Sequence, residues 1–255
     1  MFPNPEVRTM VTLLQREIVG ELGWNLEGLY LKGSLALGDF NPETSDIDLL
    51  ALVKEPLAAE EFARLARRHA RIHSLPQRYA KEVELAYVPV GDVQRFQPGK
   101  AYPALERGER LKWKPLGANW VLEFWTVRER GGVLYGPDPK ALIPPISPAE
   151  VRAAVRRVLA QDWLEWVATW REPGWQTQAG EMRFVVETMC RALYTGQSGR
   201  LISKPKAVEW ALEAWPQPWS GLVRQSQAWR AGGKVEPSVC ARVARLVGWT
   251  QQQLA

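Results

Sequence analysis

The chain carries two different hydrophobic rhythms. From Asn4-Pro5 onward, Val7, Val11, Leu14, Ile18 and Leu22 recur at helical spacing behind a polar cap and a proline, which predicts a first helix. Residues 28–32 (GLYLK) and 46–53 (DIDLLALV) are short apolar runs that predict strands. Residues 82–90 (EVELAYVPV) alternate acidic and apolar positions and predict a third. Helical patterning returns over 57–73 and 118–130, where Gly131-Gly132 breaks it before VLYGP. Mixed strands and helices of this kind indicate an α/β or α+β domain.

The rhythm changes near residue 140. GPDPKALIPPISP sets Pro137, Pro139, Pro144, Pro145 and Pro148 close together, an extended connector and a domain boundary. Beyond it every strong signal is helical. Ser147, Pro148 and Glu150 form a capping box, and Val151, Val155, Val158, Leu159, Trp163, Trp166, Val167 and Trp170 supply one apolar face. Further helices are predicted at about 180–195, 204–215, 218–231 and 237–253. The expected architecture is therefore α+β: a mixed-sheet domain with helices over residues 1–145, then an all-α bundle over 146–255.

Composition narrows the class. A hydrophobic content of 46% with 24% charged residues excludes a disordered chain. No apolar run reaches membrane-spanning length, and Glu6, Arg8, Arg16 and Glu17 interrupt the N-terminal stretch that a leader would need. Cys190 and Cys240 lie outside any CxxC pattern and read as buried thiols, so a cytoplasmic protein with no membrane partner is expected. The net charge of +5 belongs to the second half: residues 146–255 hold 14 Lys and Arg against 9 acids, whereas 1–145 balance. That field favours a polyphosphate ligand but is far weaker than a nucleic-acid-binding stripe, so no nucleic-acid partner is expected.

The sharpest local signal is GSLALGDFNPETSDIDLL at 33–50. Gly33 ends a strand and lets backbone approach a ligand, Ser34 adds a hydroxyl, and LALGDF can begin a short helix with free N–H groups, together a phosphate cradle. Asp46 and Asp48 project from one face of the next strand, and Mg²⁺ is the natural counter-ion for such a pair. A third acid comes from 82–90, where Glu82 and Glu84 share a face. Three acids can hold two metal ions, or hold one and leave a general base, and either arrangement suits attack of a hydroxyl on a nucleotide phosphate.

This pattern, GS followed by SDIDLL, resembles the signature of the nucleotidyltransferase superfamily that includes DNA polymerase β. LYLKGSLALGDFNPETSDIDLL, VELAYV, VRERGGVLYGP, the helix ending in CRALYTG, and ISKPKAVEWA together are most similar to bacterial aminoglycoside adenylyltransferases that modify streptomycin and spectinomycin. The resemblance implies a nucleotidyltransferase domain over 1–145, a helical substrate- and ATP-binding domain over 146–255, and a cleft between them. It implies Asp46 and Asp48 as Mg²⁺ ligands, Gly33 and Ser34 as triphosphate contacts, Glu84 as third acid and base, with Glu82 its rival, and Lys204 on the ATP phosphates, with Lys206 able to substitute. Trp113 and Glu181 correspond to substrate contacts, and Trp175 is a further candidate wall. ATP would be the co-substrate, an aminoglycoside the acceptor, antibiotic resistance the role, and a monomer the expected state.

Other features read as structural. Trp163, Trp166 and Trp170 fit helix packing, and His69 and His73 read as part of a solvated basic helix face with Arg64, Arg67, Arg68 and Arg71, not as a zinc pair. Two other functions compete: the same catalytic domain acting on a metabolite, RNA or protein, and a non-catalytic antitoxin-like module. A full set of acids followed by a large helical domain speaks against the latter.

Overall fold

The asparagine–proline start does what its chemistry dictates. In the computed structural model, which describes residue 2 and residues 4–169 and 178–255, Asn4 Oδ1 accepts the Val7 amide at 2.8 Å and opens α1 (Pro5–Leu22). One stripe of α1, Val7, Met10, Val11, Leu14, Ile18 and Leu22, is buried. The chain then forms β1 (Leu26–Leu31), the short α2 (Gly33–Leu37), β2 (Ile47–Val53), α3 (Ala59–His73), β3 (Val83–Pro89) and the single turn α4 (Val90–Val93). After these come β4 (Ala101–Leu105), β5 (Lys112–Pro115), α5 (Trp120–Arg130) and β6 (Gly132–Tyr135).

The six strands form one mixed sheet in the order β5-β4-β3-β2-β1-β6. Only β2 and β3 are parallel, and their crossover carries α3. β2 is buried along its whole length, so its two phases serve two cores. Ile47, Leu49, Ala51 and Val53 pack with α1 and α3, while Leu50 and Leu52 pack with Tyr30, Ala86, Val88 and, from α5, Phe124 and Val127. The strand pairs β4 and β5 were not expected from sequence. AYPAL carries Pro103, which normally demotes a strand, and KWKP is a short edge strand with little burial. β6 likewise alternates half-buried with exposed positions and offers little pattern.

The described residues after the connector are helical: α6 (Pro148–Thr169), α7 (Ala179–Ser198), α8 (Lys204–Ala214), α9 (Trp219–Ser226) and α10 (Pro237–Gln252). The chain thus has the expected α+β architecture, and it divides into two compact units, Met1–Ile146 and Ser147–Ala255. The capping box forms, with Ser147 and Glu150 exchanging hydrogen bonds. Full burial along α6 ends at Leu159, and Trp163 and Trp166 meet edge-to-face, half-buried, 5.7 Å apart. Trp170 lies outside the described residues. α9 stops earlier than expected, at Ser226, whose hydroxyl donates to the Val223 carbonyl at 2.7 Å. Cys190 and Cys240 are both buried. No helix among the described residues is long and apolar enough to cross a membrane.

One expectation for α3 is corrected. His69 is not on a solvated face: it continues the buried stripe of Leu65 and Ile72, and its Nε2 lies 2.7 Å from Tyr87 Oη on β3. The arginines on the adjoining face meet α1 instead of water alone. Arg68 and Arg71 reach Glu17 at 2.7 and 2.6 Å, and Arg64 and Arg68 both bind Glu21. Burial lowers the His69 pKa from 6.5 to about 4. Between those values the unfolded chain takes up a proton that the folded chain refuses, so this contribution is complete above pH 6.5 and lost as pH falls toward 4. Unfolding free energy measured in urea should therefore drop by roughly 3 kcal/mol more across that interval in the wild type than in His69→Gln. Equal pH slopes for the two proteins would contradict the assignment.

Candidate active site

The site grows from the neighbouring ends of β1, β2 and β3. The Lys32 amide donates to the Asp48 carbonyl at 2.9 Å, which extends the β1–β2 ladder by one step and puts both side chains on the α5 side of the sheet. On the parallel side, Asp48 is paired with Glu84. Lys32, Asp48 and Glu84 thus form a row across three strands, and Asp46, two residues before Asp48, joins it. Asp46, Asp48 and Glu84 each bring one carboxylate oxygen within 4.8 Å of the others.

The connection between β1 and β2 is shaped to this row. Gly33 has φ +58°, and a Cβ built on it would overlap Asp48 Oδ2. Only glycine lets the backbone turn there and pass so close to the carboxylate. Gly38, at φ +80°, ends α2, and the Gly38 and Asp39 amides both close on the Ser34 carbonyl at 3.0 and 3.1 Å. The Ser34 hydroxyl oxygen is buried with no hydrogen-bond partner among the described residues. The following loop is braced by Asn41, whose side chain accepts the Glu43 amide at 2.9 Å, and by the Pro42 carbonyl, which takes hydrogen bonds from Arg78 and Tyr79. That bracing delivers Asp46 to the start of β2.

Electrostatics follow from the crowding. Burial, aided by the charges of Asp48, Asp46 and Glu123 and opposed by Lys32, pushes the Glu84 pKa up to about 7. Burial and then the Asp48 charge also raise Asp46. Lys32 is buried, its Nζ lying 3.0 Å from Asp48 Oδ1 and 3.3 Å from Glu123 Oε2. Burial works against its charge, but Asp48, Glu123 and Glu84 outweigh it and raise its pKa. The donor set fits Mg²⁺: hard carboxylate oxygens on a common face, held close enough to share an ion and already biased toward a cation by mutual repulsion.

The two glutamate candidates part here. Glu84 faces the aspartates, whereas Glu82 lies before β3, accepts the Ile47 amide at 2.7 Å through its carbonyl, and pairs its carboxylate with Arg107. Trp113 lies apart from these acids. It sits opposite Pro103 in the β4–β5 pairing and stacks on Phe62 of α3, ring centroids 5.8 Å apart, on the sheet face turned away from the carboxylates. The structure does not bring it beside the carboxylates. Lys204, Lys206 and Glu181 belong to the second unit. Lys204 opens α8 with Nζ 3.8 Å from the Phe184 ring centre, Lys206 is exposed on the same helix, and Glu181 is exposed in the first turn of α7. Trp175 lies outside the described residues. Sequence reasoning missed Lys32 and Glu123: the first adjoins the GS motif, and the second sits in the first turn of α5 with no local pattern to single it out.

Both units match known proteins. Residues 15–95 match the nucleotidyltransferase domain, which defines the class of the first unit. Residues 141–251 match the aminoglycoside adenylyltransferase C-terminal domain. The chain belongs to the aminoglycoside adenylyltransferase-like members of the nucleotidyltransferase superfamily, and so to the adenylyltransferases. It is 26% identical over 230 residues to a spectinomycin 9-adenylyltransferase of Campylobacter jejuni, covering 86% of this chain and 81% of that one. It is 25% identical over 236 residues to aminoglycoside (3'') (9) adenylyltransferases of Klebsiella pneumoniae and Escherichia coli, covering 83% of this chain and 82% and 81% of theirs. A spectinomycin adenyltransferase from Enterococcus faecialis, crystallised with ATP and spectinomycin, shares the fold with a TM-score of 0.75 at 18% identity, over 97% of this chain and 98% of that one.

The glycine contact yields a controlled test. Gly33→Ala should displace Asp48 and weaken Mn²⁺ binding at least about tenfold. Gly38→Ala has the same kind of positive φ but open space around its Cβ, so it should cost only about 1 kcal/mol of stability and leave ion binding intact. Mn²⁺ titrations and thermal melts of both variants check this; equal ion-binding losses would reject the close-approach argument.

Proposed function

We propose that the protein transfers AMP from Mg·ATP to a hydroxyl of an aminoglycoside-like antibiotic, streptomycin or spectinomycin, and releases pyrophosphate. The observation that carries this reading is the convergence of Asp46, Asp48 and Glu84 beside the close-packed Gly33. The names of the relatives, and the ATP and spectinomycin of the Enterococcus crystal structure, support the donor and the acceptor class.

Asp46 and Asp48, with Glu84 alongside, would hold Mg²⁺, which supplies charge stabilisation for the triphosphate. The Ser34 hydroxyl and the backbone around Gly33 bind phosphate oxygens, and Lys204 offsets the charge of the tail. The acceptor hydroxyl oxygen attacks the α-phosphorus, the bond to the bridging oxygen of pyrophosphate breaks, and the proton passes to Glu84. Residues 1–145 act as the nucleotidyltransferase domain. Residues 146–255 bind substrate and ATP, with Glu181 and Asp162 as acids available to a polycationic drug, Glu187 being paired with Arg183, and Trp175 as a candidate wall. The enzyme acts as a cytoplasmic monomer.

The test is pyrophosphate release from Mg·ATP with streptomycin, spectinomycin and other aminoglycosides, with mass analysis of the product. Release should depend on one drug class, with a product heavier by one adenylyl group. Glu84→Gln should lower turnover by about a hundredfold or more while ATP still binds. Asp48→Asn should lose the Mg²⁺ dependence of ATP binding as well, and Glu82→Gln should remain active. Silence across the panel in protein that binds Mg·ATP would move the acceptor to a metabolite, RNA or protein.

A further inference from the structure

Four carboxylates, those of Asp46, Asp48, Glu84 and Glu123, crowd one end of the sheet, and the Lys32 ammonium stands among them. It touches Asp48 Oδ1 at 3.0 Å and Glu123 Oε2 at 3.3 Å, and lies 5.5 Å from the centre of the Trp120 ring. The residue is buried, so its partners are fixed and poorly screened. The oxygen it binds on Asp48 belongs to the group that also serves the three-acid cluster. An ammonium and a divalent cation therefore compete for one carboxylate.

We propose that Lys32 is a resident counter-ion: it neutralises Asp48 while the site is empty, and it opposes uptake of a divalent cation until the nucleotide arrives. This rests on the reading of the three acids as a metal site. A second positive charge entering beside Lys32 meets repulsion, which the triphosphate offsets with its own negative charge and oxygen ligands. Glu123 gives the ammonium a second anchor, so Lys32 stays paired when Asp48 turns to the ion. Lys32 acts through Asp48 and is a positioning residue; its consequence is ordered loading, with ion and nucleotide taken up together.

The test is titration of the full-length protein with Mn²⁺, free ion being followed by electron paramagnetic resonance, with and without a non-hydrolysable ATP analogue. Wild-type protein should bind Mn²⁺ weakly alone and more tightly with the analogue. Lys32→Met and Lys32→Gln should bind Mn²⁺ alone about tenfold or more tightly than wild type. Their melting temperatures should also rise more on Mn²⁺ addition, and Lys32→Arg should behave as wild type. Neutral variants that fold only with Mn²⁺ would support the proposal, since the ion then replaces the ammonium. Unchanged or weaker Mn²⁺ binding in both overturns it, as does failure of both to fold with Mn²⁺ present. If no protein, wild type included, binds Mn²⁺ with or without the analogue, the metal reading falls and this proposal with it; wild-type-like affinity in the neutral variants overturns only the role of Lys32.

Discussion

Mutual repulsion among carboxylates governs this end of the molecule. Asp46, Asp48 and Glu84 hold oxygens within 4.8 Å of one another, and Glu123 adds a fourth charge through Lys32. Such a cluster spreads apart unless the backbone beneath it is rigid and a cation shares its field. Rigidity comes from β2, whose every residue is buried, and from ladders on both of its sides. Positive charge comes from a lysine one step beyond β1. Fold and site are therefore coupled: the strand that anchors both cores also carries Asp48 and follows directly on Asp46.

Topology supplies the third acid. Asp48 and Glu84 meet because β2 and β3 run parallel in register, and a parallel pair needs a crossover, here α3. The His69–Tyr87 contact fastens that helix to β3 beneath the sheet, while α5 closes the opposite face with Phe124 and Val127 and carries Glu123. The two faces have separate duties. Trp113 belongs to the α3 face with Phe62, and Lys32 belongs to the α5 face with Trp120.

Much of this was legible in the sequence, and the limits have physical causes. The Asn4 cap, the helical stripe of α1, the apolar run of β2 and the GS-to-DID spacing are local patterns, and local patterns survive into structure. Glu82 and Glu84 could not be separated by alternation, since both lie in one phase; register and the Arg107 pair separate them. The side of the sheet taken by Trp113 could not be read because KWKP was not recognised as a strand, so its phase had no reference. His69 was misjudged because four arginines nearby suggested solvent, whereas three of them, Arg64, Arg68 and Arg71, lie against Glu17 and Glu21. Lys32 and Glu123 meet only in three dimensions, where no periodicity points.

The unpartnered hydroxyl of Ser34 carries a consequence for how this protein can be improved. Alanine there would remove a buried polar atom that no described residue satisfies, and so would favour the fold. The positive φ of Gly33 and the crowded acids weigh in the same direction. Selection for heat resistance in the absence of ligand would therefore drift toward replacements at the β1–β2 connection, and each gain in robustness there would erode the phosphate binding proposed for it. Thermostabilised variants are better sought in the helices, with this connection held fixed.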